Sequence, residues 1–148
     1  MRISRETDYA IRCLIFMARR PLKVHTVMEV ARPRGIPPSF LAKILQKFVK
    51  SGILSSARGV RGGFRLTRSP ADITLLQVIE AVEGPISLND CMVERETCSL
   101  ASRCAAHSAW KEIQGVLAAK LGEYTIRMLA DQEEYTPAFE AGIAEEGP

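Results

Sequence analysis

Acidic residues are almost missing from the first half of this sequence. Residues 1–70 hold three Asp or Glu against fifteen Lys or Arg, a balance of +12, whereas residues 71–148 hold fourteen against five, a balance of −9. The formal net charge of +3 conceals that division. A small module this basic carries the footprint of a polyanion partner, because each phosphate it neutralises releases condensed counterions. A solvated basic face without a partner is the plainer alternative. Long apolar runs are also absent. The longest early one, Cys13 to Ala18, is too short to cross a bilayer, and the opening Met-Arg-Ile-Ser-Arg-Glu carries charges where a signal peptide needs an apolar core. The expectation is a cytoplasmic protein with no membrane partner. Cysteine is scarce, with four in the chain. In a reducing compartment so few thiols argue against a disulfide framework and, where they cluster, for metal or redox chemistry. What remains is ordinary: a hydrophobic fraction of 47% over 148 residues is enough for a domain with a real core.

The apolar periodicity predicts a first helix from Asp8 to Arg20, with Thr7 or Asp8 as N-cap and Ile11, Leu14, Ile15 and Ala18 inward. A short second helix is expected over Val27–Ala31 after Thr26, broken by the turn Arg32-Pro33-Arg34-Gly35. Pro37-Pro38 opens a third. Phe40, Leu41, Ile44, Leu45, Phe48 and Val49 give it a broad apolar face, Ser39, Lys43, Lys47 and Lys50 lie on the other, and Ser51-Gly52 stops it. The period then changes to that of strands, at 53–57 and 64–68, around the loop Arg58-Gly-Val-Arg-Gly-Gly63. A nucleotide-binding glycine loop runs from a strand into a helix, and this one joins two strands, which argues against a phosphate cradle in an enzyme.

Helix, helix, turn, helix and basic hairpin is the order of a winged helix-turn-helix. The expected fold is therefore mainly α with a small β-hairpin wing, followed by a helix over 74–82 and a long helix from Cys104 to Leu129. The stripe Trp110, Ile113, Leu117, Leu121, Tyr124 and Met128 on that long helix is more than one small domain can cover, so a homodimer is expected. The divisions are a DNA-binding domain over 1–70, a loop and dimerisation helix over 71–135, and a flexible tail over 136–148.

Between the last two helices lie Cys91, Cys98, Cys104 and His107, three thiols and an imidazole within seventeen residues. Polar neighbours such as Glu94, Arg95 and Arg103 set these thiols apart from Cys13, which sits on the apolar side of the first helix and reads as a small hydrophobe. Thiolates are soft ligands for zinc and for iron–sulfur clusters. Cys104 and His107, three apart at a helix start, share one face. The gaps of six and five residues are wider than a zinc-ribbon knuckle, which favours a cluster over structural zinc or metal-free thiols.

The opening Met1-Arg-Ile-Ser-Arg-Glu-Thr-Asp-Tyr-Ala-Ile-Arg12, the segment Ser39-Phe-Leu-Ala-Lys-Ile-Leu45, the wing Arg58-Gly-Val-Arg-Gly-Gly-Phe64 and the helix Leu75-Leu-Gln-Val-Ile-Glu-Ala-Val-Glu-Gly84 occur in order. Together they resemble the Rrf2 family of winged-helix transcription regulators, over roughly residues 1–132. The resemblance implies a 2Fe–2S or 4Fe–4S cluster on Cys91, Cys98 and Cys104. It leaves two candidates for the fourth ligand: His107, similar to the histidine of IscR-type members, and Asp8, similar to the carboxylate that NsrR-type members donate from the other subunit.

The resulting expectation is a non-enzymatic regulator with no small-molecule substrate, most simply a repressor. Double-stranded DNA is met by Ser39, Phe40 and Lys43 at base edges and phosphates, by Lys47 and Lys50 at the backbone, and by Arg58 and Arg61 in a minor groove. The rivals are a small iron–sulfur electron-transfer protein and a regulator with structural zinc or bare thiols. The first of these leaves the hairpin arginines and the helix order unexplained.

Overall fold

The structure, a computed structural model, describes residues 2–92 and 98–133. The tail expected to be flexible over 136–148 lies outside the described residues.

Helix α1 spans Arg5–Ala18 and begins a turn before the apolar period does. Ser4 is its N-cap, accepting from the Thr7 amide at 3.2 Å, and Glu6 and Asp8 lie in the first turn, where the helix dipole favours acids. The expected caps Thr7 and Asp8 are thus inside the helix. Thr7 is fully buried and donates its hydroxyl to Glu83. Helix α2, Val27–Arg34, opens with a reciprocal capping box between Thr26 and Glu29. It also runs past its expected end at Ala31. Pro33 falls in the last turn, where its missing amide forfeits one hydrogen bond, and Gly35 at φ 60° closes the helix in the left-handed region. Helix α3, Pro38–Lys50, buries Leu41, Ile44, Leu45 and Phe48, the 3–4 spacing of one face.

Strands β1, Leu54–Ala57, and β2, Gly63–Leu66, pair antiparallel with Leu54 opposite Leu66 and Ala57 opposite Gly63. A third short segment joins them. His25 and Phe64 exchange two backbone hydrogen bonds of 2.8 Å, so the hairpin is anchored to the chain entering α2. Gly63 permits this approach, because a Cβ there would lie 2.4 Å from the His25 carbonyl oxygen.

After a single 3-10 turn at Pro70–Asp72, helix α4 spans Leu75–Glu83 with a second capping box, Thr74 with Gln77. Helix α5 spans Ala105–Glu123 and helix α6 spans Ile126–Gln132. The single helix expected over 104–129 is therefore two. Tyr124 turns extended, and its carbonyl accepts from the Leu75 amide at 2.8 Å. Thr125 bridges to Thr74 and caps α6, and the Ile126 amide donates to the Ile73 carbonyl at 2.9 Å. Ile126 is fully buried, and burial of such a side chain contributes roughly 1.5–3 kcal/mol to holding α6 on the core. The interruption follows from that docking.

One core draws on both halves of the sequence: Leu14, Met17, Ile44 and Phe48 share it with Val78 and Ile126. Helix α5 stands apart from it. None of its residues is buried, and Trp110, Ile113 and Val116 are 39, 49 and 66% exposed.

Candidate nucleic-acid interface and cysteine segment

The outward face of α3 is set by its inward one. With Leu41, Ile44, Leu45 and Phe48 in the core, Ser39, Lys43, Gln46 and Lys50 form an exposed stripe at 4-3-4 spacing opposite them. Phe40 and Lys47 lie on the flank that faces α1. The Phe40 ring meets Tyr9 edge to face, with centroids 6.4 Å apart, and remains half exposed. The Lys47 ammonium is 2.7 Å from a Glu6 carboxylate oxygen and donates to the Val82 carbonyl at 3.0 Å. Of the lysines named on this helix, Lys43 and Lys50 stand free on the outer stripe, whereas Lys47 is engaged within the fold.

The wing closes in a tight glycine turn. Gly59 takes φ 100°, the Gly62 amide donates to its carbonyl at 3.0 Å, and a Cβ on Gly62 would meet the Ala57 carbonyl oxygen at 2.3 Å. This geometry requires glycine and carries Arg58, Val60 and Arg61 at an exposed tip, with Arg65 exposed further along β2. Sequence reasoning missed Gln46 and Arg65. The stripe spacing from Ser39 pointed to the first, and alternation about buried Leu66 pointed to the second.

Cys91 lies in a single 3-10 turn, Asp90–Met92, that packs beside α5, and the preceding Leu88 amide donates to Gln114 Oε1 of α5 at 3.2 Å. Cys98 begins two consecutive turns, closed by the Ala101 amide on the Cys98 carbonyl and the Arg103 amide on the Leu100 carbonyl. Cys104 is the N-cap residue of α5, but its thiol makes no capping hydrogen bond. One helical turn on, His107 shares with it an open groove of about 480 Å³ completed by Ala101, Ser102, Ser108 and Lys111. The His107 Nδ1 is buried and has no hydrogen-bond partner. All three thiols are free and partly exposed, whereas Cys13 is fully buried and desolvation pushes its thiol up to about 12. Cys104 and His107 are thus brought together. Among the described residues, no three His, Cys, Asp or Glu side chains gather round one point. Asp8 lies elsewhere, on α1, in an i,i+4 ion pair with Arg12 at 2.7 Å. Residues 93–97, including Glu94 and Arg95, lie outside the described residues.

With a winged helix-turn-helix and a cysteine segment in place, the known proteins most like this chain become informative. Residues 3–132 match the Rrf2 family, described as iron-dependent transcriptional regulators. The chain belongs to the Rrf2 family. Its relatives include protein aau3 of Rhizobium meliloti, 33% identical over 85% of this chain and 82% of that one. Another is the HTH-type transcriptional regulator NsrR of Bacillus subtilis, 28% identical over 90% of this chain and 94% of that one. The solved structure of CymR, the global cysteine regulator of B. subtilis, superposes with a TM-score of 0.71 at 24% identity, covering 90% of this chain and 99% of that one. Rrf2 membership makes this chain a DNA-binding transcriptional regulator with a winged-helix fold, as the order of helices and hairpin had indicated. Among the described residues, no helix is long and apolar enough to cross a membrane.

Proposed function

We propose that this Rrf2 protein is a homodimeric repressor whose operator affinity is set by an iron–sulfur cluster on Cys91, Cys98 and Cys104. The observation that carries the reading is the pairing of an unengaged Cys104 thiol with a His107 ring nitrogen that has no hydrogen-bond partner, on one groove at the start of α5. The donor chemistry fits: three free thiols outside the core are soft ligands of the kind iron–sulfide takes, and a single imidazole or carboxylate completes a set of four. Such a group supplies a redox-active, easily lost centre, because one non-thiolate ligand is its weak point. His107 serves as the fourth ligand from the same chain, or Asp8 serves from a second copy.

On the DNA side, Ser39, Phe40, Lys43 and Gln46 meet the major groove. Lys43 and Lys50 take phosphates, and Gln46 has the paired donor and acceptor that match an adenine edge. Arg58 and Arg61 reach the backbone or minor groove from the wing. Lys47 acts from behind the helix. The exposed Trp110, Ile113 and Val116 of α5 meet their equivalents in a second copy, which would bury a face that one chain leaves open. The reading places the protein in the cytoplasm.

The deciding experiment is anaerobic purification followed by absorption spectroscopy and iron and sulfide analysis, with a gel shift on DNA from upstream of the protein's own gene. Brown protein that bleaches in Cys98→Ala, with a specific shift that differs between the two proteins, is expected. A colourless protein containing zinc, or none that carries metal, ends the cluster reading. Equal cluster stability and spectra in Asp8→Ala, His107→Ala and the unsubstituted protein remove both fourth ligands.

A further inference from the structure

The last turn of α4 is where three elements are tied together. Carbonyls at a helix C-terminus have no intrahelical partner, and cations are favoured there. In α4 one of them, Val82, is taken by the Lys47 ammonium from α3 at 3.0 Å, and the same ammonium holds Glu6 of α1 at 2.7 Å. The next residue, Glu83, accepts from the Ser4 amide at 3.0 Å and from the Thr7 hydroxyl, which join it to the first turn of α1. Gly84 and Pro85 end the helix, and the chain then runs to Cys91. The end of the helix that leads into the cysteine segment is thus bonded directly to the helix that carries the DNA-reading stripe.

We propose that Lys47 is a positioning residue: through Val82 and Glu6 it sets the seat of α3, so that displacement of the α4 end moves the DNA-reading stripe. A lysine on a recognition helix is ordinarily read as a phosphate contact. Here the outer stripe is already formed by Ser39, Lys43, Gln46 and Lys50, and Lys47 sits on the flank toward α1 with both a carboxylate and a carbonyl on its ammonium. An exposed ion pair by itself contributes little. The added bond to a helix-terminal carbonyl makes the contact directional and joins α3 to α4. The regulatory half of the proposal rests on the cluster reading above, whereas the positioning half does not.

The two roles separate in the salt dependence of DNA binding. A phosphate contact, when removed, lowers the slope of log K against log salt by about one unit, and a positioning contact leaves it unchanged. Lys47→Met, Glu6→Gln and Lys43→Met are compared with the unsubstituted protein by fluorescence anisotropy on a duplex from upstream of the protein's own gene. Lys43→Met is expected to lose about one unit of slope. Lys47→Met and Glu6→Gln are expected to keep the slope while weakening affinity. Glu6→Gln guards against misfolding of the lysine variant and tests the converse, since freeing a phosphate-binding lysine would strengthen binding and raise the slope. A loss of slope in Lys47→Met, or a gain in Glu6→Gln, overturns the proposal.

The affinity ratio between cluster-reconstituted protein and its Cys98→Ala form is measured in the same backgrounds. A shrinkage of roughly 2- to 30-fold in Lys47→Met is the expected loss of coupling. A ratio unchanged by the substitution overturns the link to the cysteine segment. If the ratio is already one without any substitution at Lys47, it is the cluster reading that fails, and the slopes still decide whether Lys47 positions α3.

Discussion

Buried His25 ties the wing to the rest of the molecule and also makes it sensitive to acid. Its backbone pairs with Phe64 of β2, its ring packs edge to face on Phe16 at 5.7 Å, and its Nε2 lies 3.3 Å from the Arg20 carbonyl, while Nδ1 has no hydrogen-bond partner. Desolvation lowers its pKa below the ordinary value. Nearby Lys23 and Arg20 act in the same direction, and the Arg20 carbonyl and Glu29 oppose them. The unfolded chain therefore binds the proton more readily than the folded one. Stability that is complete above about pH 6.5 is lost as the pH falls toward the lower folded value. The urea midpoint should drop between about pH 7.5 and 5.5, and drop less in His25→Gln. An equal fall in both proteins would mean that other groups dominate. Glu29 and Glu83, whose carboxyls are held low by hydrogen bonds to Thr26 and to Thr7, affect stability only at more acid pH.

At the level of elements, the Thr26 cap that opens α2 and the apolar face of α3 were legible because their signals are local: a side-chain oxygen just before a helical run, and an apolar stripe that repeats with the helix turn. The break between α5 and α6 was not legible. Tyr124 and Thr125 lie within an unbroken apolar period, and Gly122 just before them is no clearer a stop than Gly115, which the same helix carries without a break. It exists because Leu75 and Ile73, fifty residues earlier in the chain, offer backbone partners to Tyr124 and Ile126. The start of α1 was misplaced for a related reason. Ser4, Arg5 and Glu6 have no apolar period, so the cap could not be found from it. The apolar face of α5 carries the prediction for this scale. Replacing Ile113 with Glu places a charge in the middle of the proposed dimer contact. Sedimentation should show the mass halved at micromolar protein, with the helix content kept. A dimer that persists unchanged would put the contact elsewhere.

For the whole molecule the decisive property is the segregation of charge, with a balance of +12 over residues 1–70 and −9 over 71–148. The folded chain gives that basicity a shape: Lys43 and Lys50 on the outer face of α3, and Arg58, Arg61 and Arg65 on the wing. DNA affinity should fall steeply with salt, and Arg61→Ala should reduce the log–log slope by about one unit if the arginine neutralises one phosphate. An unchanged slope would remove Arg61 from the contact surface. A common core joins the basic half to the acidic half through Phe48, Val78 and Ile126.

The sequence by itself determined the class of the protein: the winged helix-turn-helix order, the basic wing, and the placement of three thiols and an imidazole outside the core. These are readable because periodicity, capping and charge act over a few residues. Only the tertiary structure decided what Lys47 and Thr7 do, where α5 ends, and that His25 is a third member of the wing. In each case the partner, whether Val82, Glu83, Thr74 or Phe64, is distant in sequence, and a contact of that kind exists only once the chain has folded.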